Sequence, residues 1–361
     1  MPDERKAYLW LGLLRTLSPA DRRRLLEVFS SPVELLQASE TMLDQLVNEK
    51  LLKPESREEM LESRDSLLRR EEAFRKKNVL FVTPADPDYP GLLMEIPDPP
   101  AVLFYRGDLS LLKEHTVLGV VGSRTPGQYG KEMVRHFVPP LAEEGIVIAS
   151  GLAMGIDTEA HAAAMSCGKT VAVLGGGIDI CYPQSNFRIY EEMCREHLVL
   201  SEYAPGIPPL PNQFPLRNRI ISGISRGVLV VEAREHSGTR ITADAALDQG
   251  RNVYAIPGRI GDPLSEGTNS LIRMGAMLVR RPEDILEDLG LFLKKRKKGT
   301  GRNAALSPDE RRILEQLSFV PVYVDDLLPE GKEAEAFGLI LSMEKRGLIR
   351  QSMQGYYVRL K

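Results

Sequence analysis

LGVVGSRTPGQYG, Leu118 to Gly130, passes from a β-branched apolar strand through a loop of small and polar residues into a helical pattern. A strand–loop–helix of this kind aims backbone N–H groups from a helix N-terminus at whatever fills the loop, which makes it an anion site. Glycine at 122 lets a phosphate approach the backbone. Arg124 offers a planar guanidinium that binds phosphate with two hydrogen bonds. Alone, the stretch reads equally as a tight βα turn with a surface arginine, since glycine-rich turns are common in α/β folds.

Working outward, residues 116 to 289 alternate apolar strands with helical patterns. Strands are expected at Val117–Val121, Val147–Ser150, Thr170–Leu174, Leu198–Ser201, Val228–Glu232, Asn252–Ile256 and Met277–Val279. Several are apolar throughout, as in a parallel sheet buried on both faces. The fold class is therefore α/β, a doubly wound, mostly parallel sheet, in which ligands bind beyond the carboxyl ends of the strands.

The unusual loops fall at such ends. Ala149–Asp157 follows a strand and opens a helix, so Ser150, Gly151, Gly155 and Asp157 either cap that helix or form a second phosphate cradle. The run Gly175-Gly176-Gly177 leaves backbone open to a ligand, although no acidic residue stands at dinucleotide-site spacing. Arg217, Asn218 and Arg219 precede the apolar helix Ile220–Ile224. Cations at a helix N-terminus oppose its dipole, so an anionic partner is expected there. Ser237, Gly238 and Thr239, again after a strand, supply hydroxyls and N–H groups to an oxygen-rich ligand, while His236 reads as a polar surface residue.

The flanks differ in character. Residues 1–77 read as a small helical domain, with Ser18-Pro19 and Ser31-Pro32 as N-caps followed by proline and an amphipathic helix over Glu55–Lys77. Residues 78–289 form the α/β domain, entered through a proline-rich connector with strands at Val79–Val82 and Val102–Tyr105. Residues 290–304 contain the run Lys294–Lys298 and read as a basic linker. Residues 305–361 read as three helices and a hairpin around Gln354-Gly355, a winged helix whose third helix is not clearly basic.

Over 361 residues the net charge of −3 argues against coating of polyanions by bulk charge, so any nucleic-acid site must be a local basic cluster. Between Lys169 and Lys294 there is no lysine while arginine recurs. Such a bias arises from a GC-rich genome, and it also suits a groove gripping phosphates and stacking guanidinium on unpaired bases. The charged start MPDERKAYLW and the lack of a long apolar run point to a cytoplasmic chain without signal peptide or membrane contact. Cys167, Cys181 and Cys194 lack metal spacing and read as reduced thiols. No metal, cofactor or catalytic residue is expected.

At these loops the chain resembles the DNA-processing protein A family, also called Smf. The matching segments are GVVGSRTPGQYG, IASGLAMGIDTEAHAAAM, GKTVAVLGGGIDICYPQSN, FPLRNRIISGISRGVLVVEA, SGTRITADAALDQGRNVYAIPG and SEGTNSLIRMGA, in order over nearly all of residues 116–280. The resemblance implies an extended Rossmann-like domain that binds single-stranded DNA, loads the RecA recombinase onto it and protects incoming strands in natural transformation. It makes Gly122, Ser123 and Arg124 the phosphate motif and places Arg217, Asn218 and Arg219 at the same pocket. It further implies a homodimer, for which Leu271, Ile272, Met274, Met277 and Leu278 are candidates. Met154 stands where relatives commonly carry arginine, and Arg240 departs from their Ser-Gly-Ser-Leu-Ile-Thr pattern, so Arg240 is expected to replace the missing charge in part.

The rival reading is an enzyme, since the same fold resembles nucleotide phosphoribohydrolases of the lysine-decarboxylase-like group. Their Pro-Gly-Gly-x-Gly-Thr signature with its following glutamate is absent here: Thr242 occupies the glutamate position. Glycoside hydrolysis ordinarily uses carboxylates at the scissile bond; Glu232 and Asp157 can be put forward as a pair, but as helix-capping or loop-ordering groups they need no catalytic role.

Overall fold

The structure, a computed structural model, describes residues 3–64, 66, 72–74, 76, 79–235, 237–291, 307–318, 321–327, 333–353 and 355–359. The basic run Lys294–Lys298, His236, Gln354 and much of the expected helix beyond residue 64 lie outside them. The chain forms two compact units, Met1–Leu293 and Lys294–Lys361.

The first unit is built on a nine-stranded sheet in the order β1-β2-β6-β5-β4-β3-β7-β8-β9. Its strands are β1 (Leu80–Val82), β2 (Leu103–Gly107), β3 (Val117–Val121), β4 (Val147–Ser150), β5 (Thr170–Leu174), β6 (Leu198–Ser201), β7 (Gly227–Val230), β8 (Asn252–Ala255) and β9 (Met277–Leu278). From β3 onward they run parallel, and β1 and β2 add antiparallel at one edge. Every residue of β3 to β7 is buried, which explains their apolar composition.

Helices fill both faces. In chain order they are α1 (Glu4–Leu13), α2 (Pro19–Val28), α3 (Pro32–Gln37), α4 (Glu40–Asn48), α5 (Pro54–Arg64), α6 (Gly91–Met94), α7 (Leu111–Glu114), α8 (Gln128–Glu143), α9 (Ile156–Met165), α10 (Phe187–Glu196), α11 (Gln213–Gly223), α12 (Gly238–Asp248), α13 (Glu266–Arg273) and α14 (Pro282–Asp288). Ser18 and Ser31 cap α2 and α3 through their side chains, as their Ser-Pro patterns indicate. The N-terminal helices share one core with the sheet: Leu9, Trp10 and Leu43 lie in the same buried cluster as Phe104, Ala172 and Val199. Trp10 is interior, and its Nε1 donates to Ser63 Oγ at 2.7 Å.

The second unit contains α15 (Pro308–Gln316), β10 (Val322–Tyr323), α16 (Val324–Leu327), α17 (Glu333–Lys345), β11 (Ile349–Met353) and β12 (Tyr356–Arg359). Its strands pair antiparallel in the order β10-β12-β11 over a core that includes Ile313, Leu327, Ile340 and Tyr357. Ser307 and Glu310 form the capping box that opens α15. Among the described residues no helix is long and apolar enough to cross a membrane.

Two local expectations change. Helix α11 begins at Gln213, so Arg217, Asn218 and Arg219 stand in its second turn and not before the helix. The edge face near β9 is also narrower than expected. Leu271 is 3% exposed and belongs to the core, because α13 turns it onto the sheet, and Ile272 packs partly against the same core. Met274, Met277 and Leu278 are exposed.

His161 on α9 is fully buried, with Nδ1 2.7 Å from Thr170 Oγ1, and burial pushes its pKa down to about 3. The folded imidazole is therefore neutral where the unfolded one, with an ordinary value near 6.5, takes a proton. Stability is lost as pH falls below about 6.5, at up to about 1.4 kcal/mol per pH unit from this group. Denaturant unfolding between pH 7 and pH 5 should show this loss, and His161→Gln should make the slope shallower by about one proton.

Candidate functional site

Sheet order places the site. After β3 the chain builds outward through β4, β5 and β6, then returns to add β7, β8 and β9 on the other side of β3. Loops leaving β3 and β7 thus diverge, and a crevice opens at the carboxyl ends of the strands. A cavity of about 570 Å³ lies there. Its lining includes Gly122, Ser123, Arg124 and Thr125 after β3, Ala153 and Asp157 after β4, Phe214, Arg217 and Asn218 of α11, and Arg234, Ser237, Gly238 and Thr239 after β7.

The first two loops interlock. Gly155 adopts φ +83°, and a side chain there would run into the Ser123 and Arg124 backbone. A Cβ at Gly122 would lie 2.6 Å from Ile156. Ile156 N–H donates to Ser123 O at 3.1 Å, and Ser123 N–H donates to Glu232 O at 2.9 Å. Asp157, almost wholly buried, accepts from the N–H groups of Gly151 and Ala153 at 3.0 and 3.3 Å, and burial raises its pKa against the opposing pull of Arg217.

The N-terminus of α8 is not the open anion site expected from its sequence. The Glu232 carboxylate accepts from Gly127 N–H at 2.9 Å and Gly130 N–H at 3.0 Å, so the protein supplies its own anion. Burial raises the Glu232 pKa, and these hydrogen bonds oppose the rise. A second helix N-terminus faces the cavity instead. Ser237 precedes α12 without a side-chain cap bond, its Oγ is buried with no hydrogen-bond partner, and nothing stands within 4 Å of a Cβ built at Gly238. Such an N-terminus receives oxyanions.

Two cations face this cradle from outside any ion pair among the described residues: Arg124 and Arg234, both exposed. The Arg124 guanidinium sits 5.4 Å from the Phe214 ring centroid, and Tyr182, 54% exposed, lies 5.6 Å from Phe214 on the cavity rim. The site therefore has a polar wall and an aromatic wall. Phe214 and Tyr182 are not among the expected site residues, although each stands within a family-matching segment, because a lone aromatic in sequence reads as core.

Arg217 reaches the cavity as a buried clamp. Its Nη1 donates to Gly151 O at 2.7 Å and to Val173 O, so it closes the carbonyl ends of β4 and β5. Burial lowers its pKa to about 10, and it remains charged at neutral pH. Arg219 does not reach the cavity: it is 7% exposed and its Nη2 donates to Glu202 at 2.9 and 2.7 Å. The dipole argument for an anionic partner fails for both, since each arginine has acceptors within the fold.

Other expected residues also lie elsewhere. Ser150 is fully buried with its Oγ on Val120 O, and Gly151 is held by Asp157 and Arg217. Gly176 is covered by the segment after β6: its carbonyl accepts from Ser201 Oγ at 2.6 Å, and the neighbouring Gly177 N–H donates to Ile207 O at 2.7 Å. Arg240 points along α12 toward Asp244 (3.8 Å) and Met274 Sδ (3.7 Å), away from the cavity lining. Among the described residues no cluster of His, Cys, Asp and Glu is placed to hold a metal ion.

A sequence profile described as DNA recombination-mediator protein A matches residues 80–290. The chain is 44% identical over 218 residues to DNA processing protein DprA of Bacillus subtilis, covering 60% of this chain and 73% of that protein. It is 41% identical over 290 residues to Protein Smf of Escherichia coli, covering 77% of each. Among solved structures it is similar to DNA processing protein A from Streptococcus pneumoniae, with TM-score 0.67 and 37% identity over 78% of this chain and 97% of that one. It is also similar to DNA processing protein A from Helicobacter pylori, described by its single-stranded DNA binding mode, with TM-score 0.53 and 28% identity over 58% of this chain and 95% of that one.

Replacing Glu232 with alanine should strand two N–H groups at the start of α8. The expected loss of stability is about 1–3 kcal/mol, measured by denaturant unfolding. Glu232→Gln, which keeps one acceptor oxygen, should lose less.

Proposed function

The chain belongs to the DNA recombination-mediator protein A family, and from that premise we propose that it binds single-stranded DNA in the cavity beyond β3, β4 and β7. The observation that carries this reading is the pairing of Arg124 and Arg234 with the uncapped α12 N-terminus and the unpartnered Ser237 Oγ. Phosphate oxygens complement each of these groups and carry no base identity, so binding has little sequence preference. The relative from Helicobacter pylori is described as binding single-stranded DNA, which supports the same ligand class here.

Of the expected residues, Gly122, Ser123, Arg124, Asn218, Ser237, Gly238 and Thr239 make up the contact surface in this proposal. Asp157 and Arg217 also line the cavity but are bonded within the fold, and Gly151 and Gly155 shape it from behind. We infer delivery of the strand to a RecA-type recombinase, as in natural transformation, and a homodimer through the exposed Met274 and the edge strand β9 itself, Met277 and Leu278. The winged-helix reading of the second unit suits a scaffold role at least as well as a groove-reading one, because the sequence of its third helix, α17, sets Glu333, Glu335 and Glu344 against Lys345.

No covalent step is part of this proposal. Asp157 and Glu232, the pair that the hydrolase reading puts forward, are each committed to backbone N–H groups of the site loops.

Fluorescence anisotropy with a labelled oligothymidine, titrated at several salt concentrations, tests the reading. Wild type should bind with steep salt dependence. Arg124→Ala should weaken binding severalfold and reduce the log–log salt slope by about 0.7. Arg240→Ala should leave both unchanged. Equal binding by wild type and Arg124→Ala would move the site out of this cavity.

A further inference from the structure

Helix α11 carries two opposite faces. Phe214, Arg217, Asn218 and Ile221 line the DNA cavity at helical i, i+3, i+4 and i+7 spacing. Arg219 lies two residues beyond Arg217, about 200° around the helix, and takes part in a buried charge cluster on the other side. Its Nη2 donates to both Glu202 oxygens at 2.9 and 2.7 Å, and its Nε lies 3.3 Å from Asp98 Oδ2.

The same Glu202, 6% exposed and just after β6, is held from the N-terminal helices. Arg22 of α2 donates to Glu202 Oε1 at 3.2 Å, and its other nitrogen donates to Leu14 O at 2.8 Å and Gly12 O at 3.3 Å, at the end of α1. A cavity of about 200 Å³ adjoins this cluster, lined by Tyr8, Leu26, Met94 and Ala101 among others. Packed side chains therefore do not close this part of the seam, and the charged contact spans it.

We propose that Glu202 is a positioning residue through which the N-terminal helices set the pitch of α11, and so the shape of the DNA cavity. Arg22 and Arg219 grip one carboxylate from two sides. A buried carboxylate that loses one of two cations draws harder on the other or rearranges, because its desolvation is no longer offset. Rotation of α11 then moves Arg217 against the β4 and β5 carbonyls and shifts Phe214 and Asn218 at the cavity wall. Docking of the N-terminal helices in this way tunes strand affinity without touching the strand. The inference rests on the DNA-binding reading above for its consequence, but not for its mechanical part.

The test uses full-length Arg22→Met and Arg22→Lys, with thermal melting to establish folding. Hydrogen exchange of residues 213–223 in the free protein reads the mechanical part. Anisotropy with labelled oligothymidine reads the consequence. For Arg22→Met we expect faster exchange in α11, beside a loosening of the end of α1 where Arg22 held the Gly12 and Leu14 carbonyls, with affinity lower severalfold and an unchanged salt slope because Arg22 meets no phosphate. Arg22→Lys should recover part of both, and carries the test if Arg22→Met does not melt cooperatively. In the background of Arg217→Ala, Arg22→Met should cost less affinity than in wild type, since coupled sites are not additive. Unchanged exchange in α11, or exchange raised uniformly across the sheet, overturns the proposal. So does an affinity loss with a shallower salt slope, which would make Arg22 a phosphate contact. Wild type that binds no strand would overturn the DNA-binding reading alone, and the α11 exchange would still decide the positioning role.

Discussion

A buried carboxylate at a helix N-terminus is the constraint on which the site depends. Glu232 sits just after β7 and accepts from the start of α8, which follows β3. It therefore ties together the two loops that diverge at the switch in strand order. Ser123 is held by the Glu232 backbone and in turn holds Ile156 at the start of α9. Three βα connections thus become one rigid floor. Were α8 left uncapped, its N-terminus would compete for the anion that α12 is placed to receive.

Arginine performs two jobs here that its sequence context does not separate. Arg217 and Arg219 are structural: one closes strand-end carbonyls, the other neutralises Glu202. Arg124 and Arg234 stay exposed and outside ion pairs among the described residues. The first role uses the fixed fork of donors, which can serve two carbonyls at once and stays charged even when burial lowers its pKa. Lysine offers a point charge and could not bridge two strand ends in the same way. The absence of lysine from 170 to 293 thus has a structural component beside any role in holding DNA.

Much of the fold was legible because local chemistry and global packing agree. The strands β3, β4, β5 and β6 lie where their near-continuous apolar runs indicate, since strands buried on both faces are mostly apolar. Ser18, Ser31 and Ser307 cap helices as their following prolines indicate. The start of α11 was not legible, because Pro215 permits the first helical turn while suggesting a loop. Gly176 looked open to a ligand, yet Pro209, far along the chain after β6, covers it, a contact that local pattern cannot register.

What the sequence alone determined was the kind of molecule: a doubly wound sheet with glycine-rich loops at its carboxyl edge, arginine-rich and fit for phosphate. These follow from periodicity, turn chemistry and motif, all local in the chain. Tertiary structure decided which groups are left for a ligand. It spent Glu232 on one helix N-terminus and left another uncapped, turned Arg219 inward and Arg124 outward, and brought Phe214 against Tyr182. The reason is that a charged or hydrogen-bonding group is satisfied by whatever lies within about 3 Å in space, and no local pattern states which distant residue that will be.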